Sequence, residues 1–426
     1  MTGLPRSTIY VITAAGLFFL LSLVAVWALS QKSLHSQVTE NASSVDSEIA
    51  KLNNEIRVHP KNIKTYLAAS NAYVQKIRET ADASYYATID ELLNTATGID
   101  AQNPDIYALK ASVANGRHHF KEGLDLIQRA LLLKSNVASY YGIKADSEIE
   151  LGKYDDAEKS LQSMVDMKPN YSAYTRISYL RELTGDIAGA EEALQMAISA
   201  GSTFTENVAW AYVELGMLQM RTDLLAAERS FTIALQIQAD YAPALEGIGK
   251  IAFARGDVKS AYTSFNKAFA LHALAQYATD LGDVYSTQGD VSNATREYAL
   301  ADIAYRKSAV SGLDSDLEYS LFLSDHGDAT QALEKAERAH THRPSIYGAD
   351  AYAWALYKNN RSKEAMQFVH EALRFGENDA SIVFHAGMIA KANGEVVQAK
   401  KYFKKVQALN PHFSIFYAAT RMKESN

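Results

Sequence analysis

A chain of 426 residues, 48% hydrophobic, 21% charged and without cysteine, has ample material for an apolar core. It has no means of building disulfides, thiolate zinc sites or a lipidated cysteine. Its net charge of -7 argues against non-specific binding to nucleic acid, which needs a basic surface, so no nucleic-acid partner is expected. Twenty-five tyrosines against seven prolines point to a helical chain, dense in medium-sized packing residues and poor in loops.

Ile9 to Leu29 carry no charged side chain. A helix of that length spans about 31 Å, the thickness of a bilayer's hydrocarbon core, so residues 1–30 are predicted to form a transmembrane anchor. Tyr10 and Trp27 stand near its two ends, where aromatic rings favour the membrane interface. The alternative is a signal segment cut after Ser30 and a secreted protein, which the length of the apolar run disfavours. The expected topology has a short cytoplasmic N-terminus and an exported, periplasmic bulk. Residues 31–61 then form a polar spacer, in which Val45, Ile49, Leu52 and Ile56 step at helical spacing and stop near His59-Pro60. That spacing is too short for a coiled coil and predicts one small amphipathic helix.

Residues 62–103 read as an irregular helical hairpin. Tyr66, Ser70 and Tyr73 share one face, and Ile89, Leu92, Leu93 and Ala96 share another. A hairpin cannot bury both its faces alone, and a terminal one that meets water on one side departs from its neighbours' pattern. Beyond it the chain becomes regular. Small residues recur at Gly123, Ala157, Ala190, Ala227, Ala261, Ala294, Ala332, Ala365 and Ala399. Their spacing is 33 or 34 residues, except for steps of 37 and 38 where segments are inserted near Gly201–Asn207 and Ala304–Gly312. Five residues before, six of these positions hold Gly, and seven after, seven hold Ala. In Ala242 to Ala273 the logic is complete. Leu245, Ile248, Gly249, Ala252 and Phe253 make one apolar stripe, Gly256-Asp257 breaks it, and Val258, Ala261, Phe265 and Ala268 make the next. Gly ends the first helix, and Asp257 is placed to cap the second at a value of ~1 kcal/mol.

This period, with its small residue, aromatic and terminal proline, resembles the tetratricopeptide repeat (TPR). The nearest matches are Tyr141-Gly152-Tyr154-Ala157-Pro169, Leu281-Gly282-Tyr285-Gly289-Ala294-Tyr298 and Gly387-Gly394-Ala399-Phe403-Pro411. The layout is also similar to long bacterial TPR proteins with an N-terminal membrane anchor and no assigned activity. The resemblance implies an all-α, right-handed helix-turn-helix solenoid with one N-terminal transmembrane helix. Nine repeats would span 104–418, after the degenerate capping hairpin at 62–103 and before a polar tail at 419–426.

No phosphate loop, nucleophile elbow or HExxH occurs, so neither catalysis nor a small-molecule substrate is expected. Nor is a cofactor. His118-His119 and His340-Thr341-His342 lack a convergent third ligand and read as solvated helix-end histidines rather than a metal site. Acid pairs such as Asp155-Asp156 fall early in second helices, where they complement the dipole. The resemblance implies that first helices line a concave surface and that their second, fifth, ninth and twelfth positions meet ligand. In mid-array these are Trp210, Val213, Met217 and Met220; near the C-terminus they are Tyr347, Asp350, Trp354 and Tyr357, followed by Phe384, Met388 and Lys391. Aromatic and Met side chains suit an interface core. The ninth positions hold no Asn, unlike the clamp by which chaperone-binding TPR domains hold acidic tails. The expected partner is therefore an extended or helical protein segment. The expected function is a membrane-anchored scaffold that binds protein partners through its groove, in envelope complex assembly. The alternative is a non-catalytic accessory or regulatory subunit of a membrane enzyme or transporter.

Overall fold

The structure, a computed structural model, describes residues 45–413. The predicted anchor at 9–29 and the tail at 419–426 lie outside the described residues, among which no helix is long and apolar enough to cross a membrane. Those residues form 21 helices and no strand. A leading helix α1 (Val45–Val58) precedes ten helical hairpins, whose first members are even-numbered and whose second members are odd. The first five are α2 (Ile63–Thr80) with α3 (Tyr85–Ile99), α4 (Pro104–Gly116) with α5 (Phe120–Leu133), α6 (Ala138–Glu150) with α7 (Tyr154–Met167), α8 (Tyr171–Leu183) with α9 (Ile187–Ala200), and α10 (Thr205–Gln219) with α11 (Leu224–Ile237). The second five are α12 (Ala242–Ala254) with α13 (Val258–Leu271), α14 (Ala275–Thr287) with α15 (Val291–Val310), α16 (Asp316–His326) with α17 (Ala329–His342), α18 (Ile346–Lys358) with α19 (Ser362–Ala372), and α20 (Ala380–Ala392) with α21 (Val396–Leu409).

The local rules that build each hairpin are visible in its residues. Asp186, Asp223, Asp257, Asp290 and Asp328 each precede a second helix and accept a hydrogen bond from a backbone amide of its first turn. Each cap stabilises its helix by ~1 kcal/mol. Ala261 and Ala268 are wholly buried where α13 crosses α12. A Cβ on Gly249 would fall 2.6 Å from the Phe265 ring, so the two helices touch at a distance only glycine permits. The second insertion lengthens α15 to 20 residues. The first becomes the loop 201–204 and the start of α10.

Ten hairpins stacked in succession curl into a superhelix, and here successive turns touch. The turn of each of the first four hairpins meets the loop between the fifth and sixth hairpins further on. His272 reaches the Thr80 backbone. The amide of Asp314 donates to the Arg117 carbonyl at 3.0 Å, and His118 Nδ1 lies 2.7 Å from the Asp314 carbonyl. The Ile346 amide donates to Tyr154 Oη at 2.9 Å across 192 residues. Asn378 Nδ2 donates to the Thr184 carbonyl across 194 residues. Between them Arg343, almost wholly buried, donates to Glu150 at 2.8 Å and to Glu318 at 3.0 Å. An apolar cluster of Ile149, Tyr154, Leu183, Ile346 and Ile382 closes the same seam. The solenoid is therefore a spring whose coils are in contact.

Two expectations need correction. The helix-end histidines are not all solvated: His118 lies in the seam, and His340 bonds Glu371 beneath the rings of Tyr352 and Phe368. No group of three or more metal-ligating side chains gathers among the described residues. Most of the proposed groove residues, moreover, do not stand free along an open inner wall.

Candidate binding cleft

The C-terminal aromatic patch is core. Trp354 and Phe384 are each only 2% exposed, and Asp350 and Met388 are also buried. The indole of Trp354 stacks between Tyr357, at 4.9 Å, and His385, at 4.1 Å, and its Nε1 donates to Asp325. His385 in turn pairs with Asp350 at 2.9 Å. Burial works against the imidazolium, but Asp350 outweighs it and raises the His385 pKa. Tyr347 packs in the seam with Tyr179 and Leu180, and Lys391 lies exposed at the end of α20. In mid-array Val213 and Met220 are buried in one apolar cluster, with Met217 half-buried against it. These side chains were expected to face a ligand because their positions face the concave side of an open array. Tight coiling turns that side inward, where neighbouring helices cover it.

Of the eleven, Trp210 alone lines the large cavity of the molecule, a cleft of about 1380 Å³ on the inner wall of the first superhelical turn. Its walls come from α8, α10 and the C-terminal end of α2, and its rim from the connecting segments at 168–170 and 200–203. Most of its charges are paired. Arg176 holds both carboxylate oxygens of Asp146, at 2.7 and 2.8 Å. Glu206 accepts from Arg78, Gln75 and the Tyr241 hydroxyl, tying the first hairpin to the fifth and sixth. Glu182 bonds Arg221, although burial outweighs that cation and raises the Glu182 pKa. Glu214 is different. It faces the cleft without a hydrogen-bond or ion-pair partner among the described residues, and its pKa is pushed up to about 7 by burial, then by the like charges of Glu182 and Glu246.

Aromatic rings complete the lining. Tyr171, Tyr179 and Tyr241 join Trp210, and the Arg78 guanidinium lies 5.8 Å over the indole. The Tyr171 hydroxyl donates to the Asn207 carbonyl and that of Tyr179 to Glu150, which fixes both rings. Reading only the four expected positions per helix misses Glu182, Glu206, Glu214 and Tyr241. Two signals pointed toward them. The insertion at Gly201–Asn207 forms part of the rim, and Glu182, Glu214 and Glu246 fall at equal steps of 32 residues, which stacked hairpins bring side by side.

This geometry, paired antiparallel helices repeating near 34 residues around a hollow, defines a helical-hairpin solenoid of the tetratricopeptide class. The tetratricopeptide repeat family profile matches residues 144–203, the segment that supplies α8 and much of the cleft. Over that segment the chain matches the tetratricopeptide repeat family. No curated protein matches it. Among solved structures it is similar to the human IFIT1 dimer with m7Gppp-AAAA, at TM-score 0.50 and 14% identity over 77% of this chain and 76% of that one. It is also similar to PilW, a widely conserved type IV pilus biogenesis factor, at TM-score 0.41 and 15% identity over 48% of this chain and 94% of that one. With yeast Tom70 the TM-score is 0.36 at 15% identity, over 88% of this chain and 96% of that one. These similarities concern the fold.

Proposed function

We propose that the protein is a non-catalytic scaffold that captures a segment of a partner protein in the first-turn cleft, and that residues 9–29 tether it to a membrane with the solenoid exported. Tethering raises the partner's effective concentration at that surface. The observation that carries the reading is the cleft itself. It is large enough for several side chains and is walled by fixed aromatic rings and polar groups. A nucleic acid does not suit it, because Arg78 and Arg176 are already neutralised by carboxylates and the chain is acidic overall. Assembly of an envelope complex is the process such a tethered scaffold would serve.

The accessory-subunit reading has its own support. Large exposed apolar side chains such as Leu132, Leu225, Val310 and Val397 lie on second helices, on the outer face. One experiment separates the two. A photo-crosslinking amino acid is placed at Trp210 or at Leu132 in the full-length protein in its native cells, and the adducts are identified. The scaffold reading expects a discrete protein adduct from position 210 and none from 132, and the reverse pattern would establish the outer face as the interface.

A further inference from the structure

The cleft's charge inventory narrows what it can hold, and the inference rests on the scaffold reading above. Its wall cations, Arg78 and Arg176, are spent on Glu206 and Asp146, and Lys168 stands exposed at the rim. An anionic group on the walls would therefore have to break an existing pair. On the acidic side Glu206, Asp146 and Glu182 have partners, whereas Glu214 has none among the described residues. It lies one helical turn beyond Trp210, on the same face of α10, and both line the cavity. Glu246, one hairpin on, is itself held by Lys250 at 2.6 Å and Gln276 at 2.8 Å and adds a like charge to the field at Glu214. A half-buried carboxylate without a counter-charge is a standing cost to the fold, which a cation entering the cleft would offset. The aromatic rings around it favour a cation for a second reason, through their quadrupoles.

We propose that the first-turn cleft binds a basic side chain, lysine or arginine, presented by an extended segment of a partner protein, with the cation on Glu214 and its alkyl stem along the aromatic wall. Charge complementarity selects this occupant: the cleft offers one unmatched negative charge and no unmatched positive one on its walls. Binding also moves a proton. With its pKa near 7 through burial, Glu182 and Glu246, Glu214 is part-protonated at neutral pH, and a docked cation drives that proton off. Tyr171 and Tyr241, which share its field, have pKa values raised by burial and stay neutral throughout.

The test uses the full-length protein in detergent micelles at neutral pH and three short fluorescent Gly-Ser-Ala peptides, bearing two lysines, two acetyl-lysines or two glutamates. Fluorescence anisotropy is expected to show the lysine peptide binding about tenfold or more tighter than the other two. Glu214→Gln should erase the difference while leaving the helical circular dichroism unchanged. Calorimetry of the wild type in buffers of differing ionisation heat should show a proton released, and none from the variant. Equal affinity for the three peptides, no binding of the lysine peptide up to about 1 mM, or undiminished binding to Glu214→Gln would each overturn the proposal. Self-association that Glu214→Gln abolishes, without affinity for the lysine peptide, would overturn it in favour of a second copy as the occupant. A protein adduct at position 210 without lysine preference would leave the scaffold standing and this inference refuted.

Discussion

Glu214 shows how one side chain can trade stability for readiness. Its raised pKa means that the folded protein holds a proton there which the unfolded chain has already lost. The sign follows: below the ordinary carboxylate range the site costs nothing, and as pH rises toward 7 and beyond the fold loses stability. The full cost is on the order of 1–3 kcal/mol. Glu214→Gln removes the titration, so its melting temperature should exceed that of the wild type by a few degrees at pH 8 and match it near pH 4, as thermal melts at both pH values will show. A lower melting temperature for the variant at pH 8 would mean that Glu214 has a stabilising partner. Nothing at position 214 alone marks this role in the sequence. What makes the residue special is that Glu182 and Glu246 lie beside it, and only stacking puts them there.

At the scale of the element, the hairpin was fully legible. Its period, its breaking Gly, its capping Asp and its small-residue crossing all act within a window of about 34 residues, so a linear reading captures them. What such a reading cannot see is that equivalent turns meet different surroundings. Gly152 and Gly256 occupy the same place in their repeats, with φ of 69° and 79°. A Cβ on Gly152 would lie 2.3 Å from the Pro344 carbonyl oxygen, whereas one on Gly256 would meet nothing within 4 Å. Alanine at either site strains a left-handed turn by about 1–2 kcal/mol. Gly152→Ala should therefore destabilise the protein by at least about 1 kcal/mol more than Gly256→Ala, measured by urea unfolding. Equal losses would show that the coils do not touch there. The aromatic patch at Trp354 was misplaced for a related reason: its residues occupy ligand-facing positions of an open array, and a coil this tight brings neighbouring helices over them.

For the whole molecule the decisive quantity is the twist per hairpin, a small angle that no residue encodes by itself and that only five hairpins together turn into a closed seam. Arg343 is the clearest test of that closure. It bonds Glu150 from the first turn and Glu318 from its own, with its guanidinium 5.2 Å from the Phe120 ring. Arg343→Ala leaves both carboxylates without their cation and should cost about 3–5 kcal/mol. It should also release the coils, seen as a larger radius of gyration by X-ray scattering and faster amide exchange at 117–119, 151–153 and 343–346. If exchange quickens only around 343, the seam is not a shared cooperative unit.

The seam also has a history within each newly made molecule. Tyr154 leaves the ribosome 192 residues before Ile346. At about 5–20 residues per second that is a wait of roughly 10–40 s. Throughout it the early coil stands finished but bare along one edge, its glycine-lined turns and apolar cluster open to whatever passes. A nascent chain built this way has a built-in interval of stickiness, and a holding chaperone, or a translocation channel that keeps the coil from forming until its complement arrives, is the natural guard over it.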